Sequence, residues 1–348
     1  MKKNKNFLIA LCLVCFYSCD QQKHVGQTKD TNQSTFQFSE SPIPLGRINA
    51  NFVKDISYGP YPENTFDIFL VESKKPTPLV IYIHGGGFLG GDKNFPYTPM
   101  WNNTWDFPSE VKLLLKNGIS FATINYRLLA LNNDKEGVLK SMSDSKICLQ
   151  YIRSISSKLN IDKNKILLAG SSAGGGTSQW LAFSDDMADP QNADPVLRES
   201  TRVKAIAVKA TQASYDLMRF QTDVFKEYDF SLEEYLKVDK ASVPRFLSFY
   251  GMKSIEDFNS ERVKEYRKKV DMLAMMSPDD PEIWVANEQK PVVKPTKSNI
   301  LNHHAFHART LKEWADSIGI KNMVYYDNYK DPSGESFVDF MIRKLNED

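Results

Sequence analysis

A chain of 348 residues is long enough for one large domain or two modest ones. With 41% hydrophobic and 25% charged residues, it has the composition of a globular protein that can bury a sizeable core. Its 44 Lys and Arg residues are balanced by 43 Asp and Glu residues, so no overall field attracts nucleic acid or an acidic partner, and no nucleic-acid partner is expected.

The N-terminus has the pattern of an export signal. Lys2, Lys3 and Lys5 precede an apolar run at 7–16, which is too short to cross a bilayer because a span needs about 20 residues. The sequence Phe-Tyr-Ser-Cys at 16–19 resembles a bacterial lipoprotein signal, in which the cysteine becomes the lipidated first residue. Leucine is more usual at the position that phenylalanine occupies here.

We therefore predict a lipoprotein-type signal peptide at 1–19 and lipidation of Cys19. The protein would be an exported bacterial lipoprotein, periplasmic or associated with the outer membrane, and anchored to a membrane surface without spanning it. A simply secreted or uncleaved N-terminus is the alternative. Residues 20–45 are polar, which predicts a flexible tether before a domain at 46–348. Without the signal only Cys19 and Cys148 remain, so no disulfide framework is expected.

Beyond the tether, strand-like and helix-like segments alternate, which predicts an α/β fold with a mostly parallel sheet behind a leading antiparallel pair. The apolar run Leu79–Ile83 is typical of a central strand buried on both faces. The predicted strands are Phe52–Tyr58, Thr65–Val71, Leu79–Ile83, Ile119–Tyr126, Lys165–Ala169, Val203–Lys209, Ile283–Ala286 and Met323–Asp327. The predicted helices are Ser109–Lys116, Ser143–Leu159, one that starts at Gly175, His304–Ile318 and Phe337–Leu345.

The segment at about 215–276 separates two predicted strands and has helical periodicity. A connection of this length is usually a functional insertion, so we predict a helical cap over the site. Its aromatic residues either line a substrate pocket or form the cap's own core, and the second role is expected for most of them. They are Phe220, Phe225, Tyr228, Phe230, Tyr235, Phe246, Phe249 and Tyr250.

A predicted strand runs into Gly170-Ser171-Ser172-Ala173-Gly174 and then into a helix, which is the pattern of a nucleophile elbow. The nucleophile has to sit at a strained turn with its hydroxyl exposed, and small neighbours let the strand and the helix approach closely. Ser172, rather than Ser171, is therefore the predicted nucleophile.

A second glycine motif, His84-Gly85-Gly86-Gly87-Phe88, follows the buried strand upstream. A backbone free of side chains can offer its N–H groups to a developing oxyanion. We predict an oxyanion hole formed by Gly86, Gly87 and Ala173. A structural turn or a phosphate cradle is the alternative, although neither a P-loop Lys-Ser pair nor a G-x-G-x-x-G pattern accompanies the motif.

Together the two motifs resemble those of the α/β-hydrolase superfamily, and within it the hormone-sensitive-lipase-like esterases, whose marks are HGGGF and GxSAGG. The resemblance covers roughly Phe52 to Leu345. It implies an α/β-hydrolase fold and hydrolysis of a small-molecule ester by a Ser-His-acid triad, with no cofactor. In that family the acid follows the strand equivalent to Ile283–Ala286, and the histidine follows the last strand in a Gly-His-x-Phe turn.

Both of those triad positions are substituted in this sequence. Lys290 stands where the family pattern places the aspartate, and Glu288 is the nearest acid that could replace it. Glu335 stands where the pattern places the histidine, in the turn Gly-Glu-Ser-Phe. The catalytic base must then come from another part of the chain.

Five histidines are available. His24 lies in the predicted tether and His84 in the oxyanion loop, which leaves His303, His304 and His307 at the start of a predicted helix. Such residues can face the carboxyl edge of a doubly wound sheet, so one of the three can be the base. Two other roles stay open: a solvent-facing helix cap, and metal binding through His303 and His307 on one helix face. No metal site is assigned.

Two functional hypotheses follow. The first is an exported serine carboxylic-ester hydrolase that uses Ser172 and one of these histidines. The second is a catalytically impaired hydrolase fold that binds a ligand or partner, since without a base Ser172 is a poorly activated alcohol. Retention of both glycine motifs favours the esterase, because a decayed site would need neither of them.

Overall fold

The computed structural model describes residues 36–98, 106–132, 134–238, 243–290 and 292–347. These residues fall within one compact unit. The predicted signal peptide, Cys19 and the first part of the predicted tether lie outside the described residues. In the part of the chain that is described, no helix has the length and apolar character needed to cross a membrane.

The described residues form an eight-stranded sheet in the order β1-β2-β4-β3-β5-β6-β7-β8. The pairs β1–β2 and β2–β4 are antiparallel, and every other neighbouring pair is parallel. The prediction of a mostly parallel sheet behind an antiparallel pair is therefore confirmed. The strands are β1 (Ala50–Ser57), β2 (Thr65–Val71), β3 (Thr77–Ile83), β4 (Ser120–Ile124), β5 (Ile161–Ser171), β6 (Ala205–Lys209), β7 (Glu282–Asn287) and β8 (Asn322–Tyr326).

Helices cover both faces of this sheet and the carboxyl edge. The α-helices are α1 (Phe107–Lys116), α2 (Val138–Ser154), α3 (Ser156–Leu159), α4 (Ala173–Phe183), α5 (Leu232–Val238), α6 (Val243–Phe249), α7 (Glu261–Lys268), α8 (Met272–Met275), α9 (Ser298–His303), α10 (Ala305–Ile318) and α11 (Phe337–Asn346). Short 3₁₀ helices lie at Phe95–Tyr97, Pro195–Arg198, Lys226–Tyr228 and Ile255–Asn259, and a π-helical turn lies at Phe220–Val224.

The sheet is buried on both faces, which explains the continuous apolar run of β3. Leu79 and Ile81 point into a core shared with α2, α4 and the cap, whereas Val80 and Tyr82 point into a core shared with α1 and α11. Since side chains alternate along a strand, a strand between two helix layers needs apolar residues at every position. The sheet thereby becomes a rigid support for the residues at its carboxyl edge.

The part of the predicted tether that is described packs against this domain. Ile43 is 3% exposed and belongs to the core. The backbone N–H of Ser39 donates a hydrogen bond to the carbonyl of Phe52 at 2.8 Å. The composition of this stretch is polar, and its described residues nevertheless contact the domain at these two points.

The segment between β6 and β7 contains the helices α5 to α8, as expected for a helical insertion. Most of its aromatic residues pack against one another, and Phe225, Phe230 and Tyr250 are 1% exposed or less. The hydroxyl of Tyr250 donates to the carbonyl of Tyr215 at 2.6 Å, which ties the end of α6 to the start of the insertion. These aromatic side chains are therefore core residues, continuous with the core on one face of the sheet, and only part of the cap's aromatic surface is available to a ligand.

Candidate active site

Ser172 lies in the turn between β5 and α4 with φ 50° and ψ −119°, a region that residues with a side chain rarely adopt. This strain turns its hydroxyl away from the sheet. Gly174 makes the close approach of helix and strand feasible, since a Cβ there would lie 1.9 Å from the carbonyl oxygen of Ile83. The neighbouring Ser171 is engaged elsewhere, because its hydroxyl lies 2.9 Å from the hydroxyl of buried Tyr82.

The structure brings one of the three candidate histidines to this serine. The Nε2 atom of His303 lies 2.9 Å from the Oγ atom of Ser172. His303 is the last residue of α9, and its Nδ1 atom lies 2.7 Å from the Oδ1 atom of Asn299. Asn299 and His303 are four residues apart, which places them on one face of the helix. A serine, a histidine and an asparagine thus form a continuous chain of hydrogen bonds.

The partners of the His303 ring determine where its proton lies. The carboxamide oxygen of Asn299 can only accept a hydrogen bond, so Nδ1 must carry the proton. Nε2 is then free to accept the hydroxyl proton of Ser172. Burial, and secondly the positive charge of Arg245, lower the pKa of His303 to about 4. The ring is therefore neutral at pH 7, in the state that a general base requires.

The other two candidate histidines do not contact Ser172, because each ring is hydrogen-bonded elsewhere. His304 is 1% exposed, donates from Nε2 to the carbonyl of Val293 at 3.1 Å, and accepts the N–H of Phe306 as the cap of α10. His304 is thus a buried helix cap rather than a solvent-facing one. Its extended backbone, with ψ 143°, separates α9 from α10.

His307 is fully buried among the cap aromatics. Its Nε2 donates to the carbonyl of Leu301 at 2.9 Å, and its Nδ1 accepts the N–H of Ala213 at 3.2 Å. Because the helix is broken at His304, His303 and His307 do not share a face, which removes the geometric basis of the metal alternative. Among the described residues, no three His, Cys, Asp or Glu side chains come together in a way that could hold a metal ion.

Glu288, the predicted substitute acid, does not contact His303. Its side chain is half exposed and forms an ion pair with Lys330. Glu335, at the position where the resembled family has its histidine, pairs with Arg343 at 2.8 Å beside α11. Lys290 is exposed. None of these three side chains contacts His303, so the orienting role falls to the neutral Asn299.

The predicted oxyanion loop lies against the serine. Gly86 has φ 110°, and a Cβ there would lie 2.1 Å from the carbonyl oxygen of Gly90, so the loop cannot follow this path with a larger residue. His84 shapes the loop from within: its Nδ1 donates to the carbonyl of Gly85 at 2.7 Å, and its own carbonyl accepts from Tyr126 at 2.8 Å. No described acceptor takes the N–H of Gly86, Gly87 or Ala173.

Two cavities meet at this point. An enclosed cavity of about 30 Å³ extends under the cap and is lined by apolar side chains that include Phe88, Leu217, Phe220, Phe246 and Phe249. An open cleft of about 890 Å³ lies on the other side and is lined by the oxyanion loop and α9. Gly87, Ser172, Arg245 and Asn302 line both. A ligand bound at Ser172 can therefore extend both into the small enclosed cavity and into the large open cleft.

The comparison with known families identifies the domain. Residues 66–304, more than half of the chain, match the model of the BD-FAE family, an α/β-hydrolase-type esterase domain. The chain belongs to the BD-FAE family. The matched range ends directly after His303. The narrower hormone-sensitive-lipase-like assignment stays a prediction. No curated protein sequence matches the chain significantly.

Solved structures with a similar fold are esterases and a bifunctional hydrolase. A truncated form of a carbohydrate esterase from gut microbiota is 18% identical with a TM-score of 0.59, and the alignment covers 87% of this chain and 99% of that one. An acetyl ester-xyloside bifunctional hydrolase from Caldicellulosiruptor lactoaceticus is 17% identical, with a TM-score of 0.50 and 88% and 86% coverage. Esterase B from Lactobacillus rhamnosis is 17% identical, with a TM-score of 0.50 and 87% and 88% coverage. At these identities the likeness shows a shared α/β-hydrolase fold.

Two residues at the site were not predicted from the sequence. The only available signal for Asn299 was its spacing of four residues before His303, and α9 is too short to show helical periodicity. Arg245 carried no signal at all, because it lies in the cap, far along the chain from both glycine motifs. The sequence left three histidines as candidates for the base, and in the structure only His303 contacts Ser172.

Proposed function

We propose that this protein is a serine carboxylic-ester hydrolase in which His303 activates Ser172. The observation that carries the proposal is the 2.9 Å contact between Ser172 Oγ and His303 Nε2 at a strained strand-to-helix turn. This is the nucleophile–base contact of acyl transfer. It replaces the histidine that the sequence lacks after β8.

The reaction follows from these contacts. Ser172 Oγ attacks the ester carbonyl carbon while its proton passes to His303 Nε2. The negative charge that develops on the carbonyl oxygen is held by the N–H groups of Gly86, Gly87 and Ala173. Collapse of this intermediate expels the alcohol, which takes the proton from His303. Water, deprotonated by His303, then attacks the acyl-serine and releases the carboxylic acid and free Ser172.

The third member of this triad is Asn299. Its carboxamide orients the ring and fixes the tautomer, but it carries no charge that would stabilise the imidazolium. A neutral asparagine fills the same place in cysteine proteases with a Cys-His-Asn arrangement, so such a triad can support acyl transfer. The arrangement retains orientation and gives up electrostatic stabilisation of the protonated base.

The two cavities favour an ester with a short acyl group and a large alcohol. A volume of about 30 Å³ holds on the order of two water-sized groups, which is enough for an acetyl group. The open cleft of about 890 Å³ is large enough for a sugar ring or larger. Carbohydrate esters fit this division, and two of the similar structures are named as a carbohydrate esterase and an acetyl ester-xyloside hydrolase.

The site of action that we propose is outside the cytoplasm. The signal-like residues at 1–19 support export, and Cys19 would carry a lipid that holds the enzyme at a membrane surface, periplasmic or at the outer membrane. Expression in a bacterial host with a clickable fatty acid tests this part. A label that is retained in Cys19→Ser would contradict lipidation at this cysteine.

Turnover of 4-nitrophenyl esters tests the proposed activity. We expect hydrolysis of the acetate, a steep fall in kcat/KM towards the octanoate because the enclosed cavity is small, and no turnover above background for Ser172→Ala. Ser171→Ala is the matched control and should keep its activity, because the Ser171 hydroxyl is hydrogen-bonded to Tyr82 and not to His303, although Ser171 also lines the open cleft. If wild type and Ser172→Ala are indistinguishable on every ester, the protein is the impaired, ligand-binding form of the fold.

A further inference from the structure

Arg245 places a positive charge at the junction of the enclosed cavity and the open cleft. It belongs to α6 of the cap and is half buried. Its guanidinium lies against the oxyanion loop, since a Cβ built on Gly87 would be 2.5 Å from its Nη2 atom. The glycine at position 87 thus leaves room for the arginine as well as for an oxyanion. Arg245 is close enough to the reacting centre to contact a bound ester.

This arginine has no counter-ion among the described residues. No Asp or Glu is found among the described residues that line the cavity or the cleft. Two other cap arginines form ion pairs, Arg219 with Asp271 at 2.9 Å and Arg267 with Asp216 at 2.8 Å. The remaining one, Arg262, donates to the backbone carbonyls of Tyr250 and Gly251 at 3.3 and 2.9 Å. Of the cap arginines, only Arg245, which faces the site, has neither a carboxylate nor a carbonyl partner among the described residues.

An unpaired, partly desolvated cation is costly, and here it also opposes catalysis. Its charge lowers the pKa of His303, so it disfavours the imidazolium that has to form when Ser172 loses its proton. A negative group supplied by the ligand would offset both effects. The position, the burial and the missing partner thus point to one kind of ligand.

We propose that Arg245 binds a carboxylate on the alcohol part of the ester, so that the preferred substrates are short-acyl esters of hydroxy acids or acidic sugars. This proposal rests on the proposed esterase function. The carboxylate belongs to the alcohol because the enclosed cavity is too small for an acyl group that carries one. A single guanidinium matches a carboxylate in a bidentate pair, and the described lining residues include no second Lys or Arg for a phosphate dianion.

Matched pairs of acetate esters test this proposal: 3- and 4-acetoxybenzoate against the neutral 3- and 4-acetoxybenzamide. We expect wild type to prefer at least one benzoate over its amide. Arg245→Gln should lower kcat/KM for that benzoate about 10- to 100-fold, mainly through KM, as expected for a lost hydrogen bond to a charged group. The amide should change less than about threefold. Arg245→Lys keeps the positive charge but cannot form the bidentate pair, so its kcat/KM for that benzoate should lie between those of wild type and Arg245→Gln.

Lys253→Gln is the matched control. It removes a cation from the exposed surface of the same cap and should change neither substrate. Equal rates of wild type on the benzoates and the benzamides, or an equal loss on both in Arg245→Gln, would overturn the proposal. In that case, if release of acetate from the acetoxybenzamides still depends on Ser172, the proposed esterase function stands.

If wild type hydrolyses none of the four esters, the affinity for the hydroxybenzoate products still tests whether Arg245 binds a carboxylate. Calorimetric titration with 3- or 4-hydroxybenzoate, the products, should show at least about tenfold weaker binding to Arg245→Gln than to wild type and to Lys253→Gln. Unchanged binding would contradict the role of Arg245. Failure of the esterase and failure of the carboxylate site therefore give different results.

Discussion

The carboxamide of Asn299 holds the ring of His303 at 2.7 Å in the place where the resembled esterases have a carboxylate. The two groups differ in charge. An aspartate would stabilise the imidazolium, whereas an asparagine leaves the pKa of His303 to burial and to Arg245, which lower it to about 4. In the proposed mechanism, His303 thus stays neutral, and able to accept a proton, down to unusually acidic pH.

The pH dependence of kcat/KM follows from this pKa. The base must be unprotonated, so activity is present above the pKa of His303 and is lost as the pH falls through about 4, rather than near the ordinary value of 6.5. Asn299→Asp adds a carboxylate beside Nδ1 and should move this acid limb to higher pH. The groups that interact with His303 are Ser172, Asn299 and Arg245, together with the ring of His307.

The control for that prediction is Asn299→Ala. It loses orientation without adding a charge, so kcat should fall about tenfold or more while the acid limb stays in place. An acid limb of Asn299→Asp that coincides with that of wild type would show that Asn299 does not contact the catalytic ring. Rates for neutral 4-nitrophenyl acetate between pH 3.5 and 8 give all three profiles.

At the scale of elements, a buried ion pair fixes the turn that supports the oxyanion loop. Arg127 follows β4 and donates from Nε and Nη2 to Asp144 of α2 at 2.9 and 2.8 Å. The side chain of Asp144 is 2% exposed, and it also accepts from Asn64 at 2.9 Å. The adjacent Tyr126 donates to the carbonyl of His84 at 2.8 Å. The pair therefore connects α2, the end of β4 and the glycine loop.

Asp144→Ala should lower the free energy of unfolding by about 3 kcal/mol, because it leaves the largely buried Arg127 guanidinium with only the exposed Glu136, at 3.6 Å, as a counter-ion. Urea denaturation of the two proteins measures the difference. Glu261→Ala removes an exposed pair with Lys264 and should leave the denaturation midpoint unchanged. If the two variants unfold at the same urea concentration, the buried pair is not what holds this turn.

Sequence patterns predicted well those elements whose hydrophobic pattern is long or whose residues are strongly restricted by sterics. The strands β2 and β3 and the two glycine turns were placed closely, because burial on two faces and the steric demands of the elbow restrict which residues fit. The short helix α9 was missed. Its six residues are too few to show a helical period. The chain breaks at His304, whose ring caps the N-terminus of α10, and the predicted helix therefore began at that residue.

In the whole molecule, the fold and the superfamily agree with the sequence-based prediction, but the proposed base comes from an unexpected part of the chain. It lies between β7 and β8 instead of after β8. Folding brings together a serine and a histidine that are 131 residues apart, and no local pattern encodes that distance. Elimination among the five histidines left three candidates for the base. Only tertiary packing distinguishes His303, which contacts Ser172, from His304 and His307.

The rate at which a fluorophosphonate labels Ser172 tests this central claim most directly, because labelling needs the activated serine and no particular substrate. We predict rapid labelling of wild type, a fall of about 10³-fold in His303→Gln, and a change of less than about threefold in His304→Gln, whose ring points to Val293. Equal labelling of wild type and His303→Gln, or no labelling of wild type at all, would contradict the account.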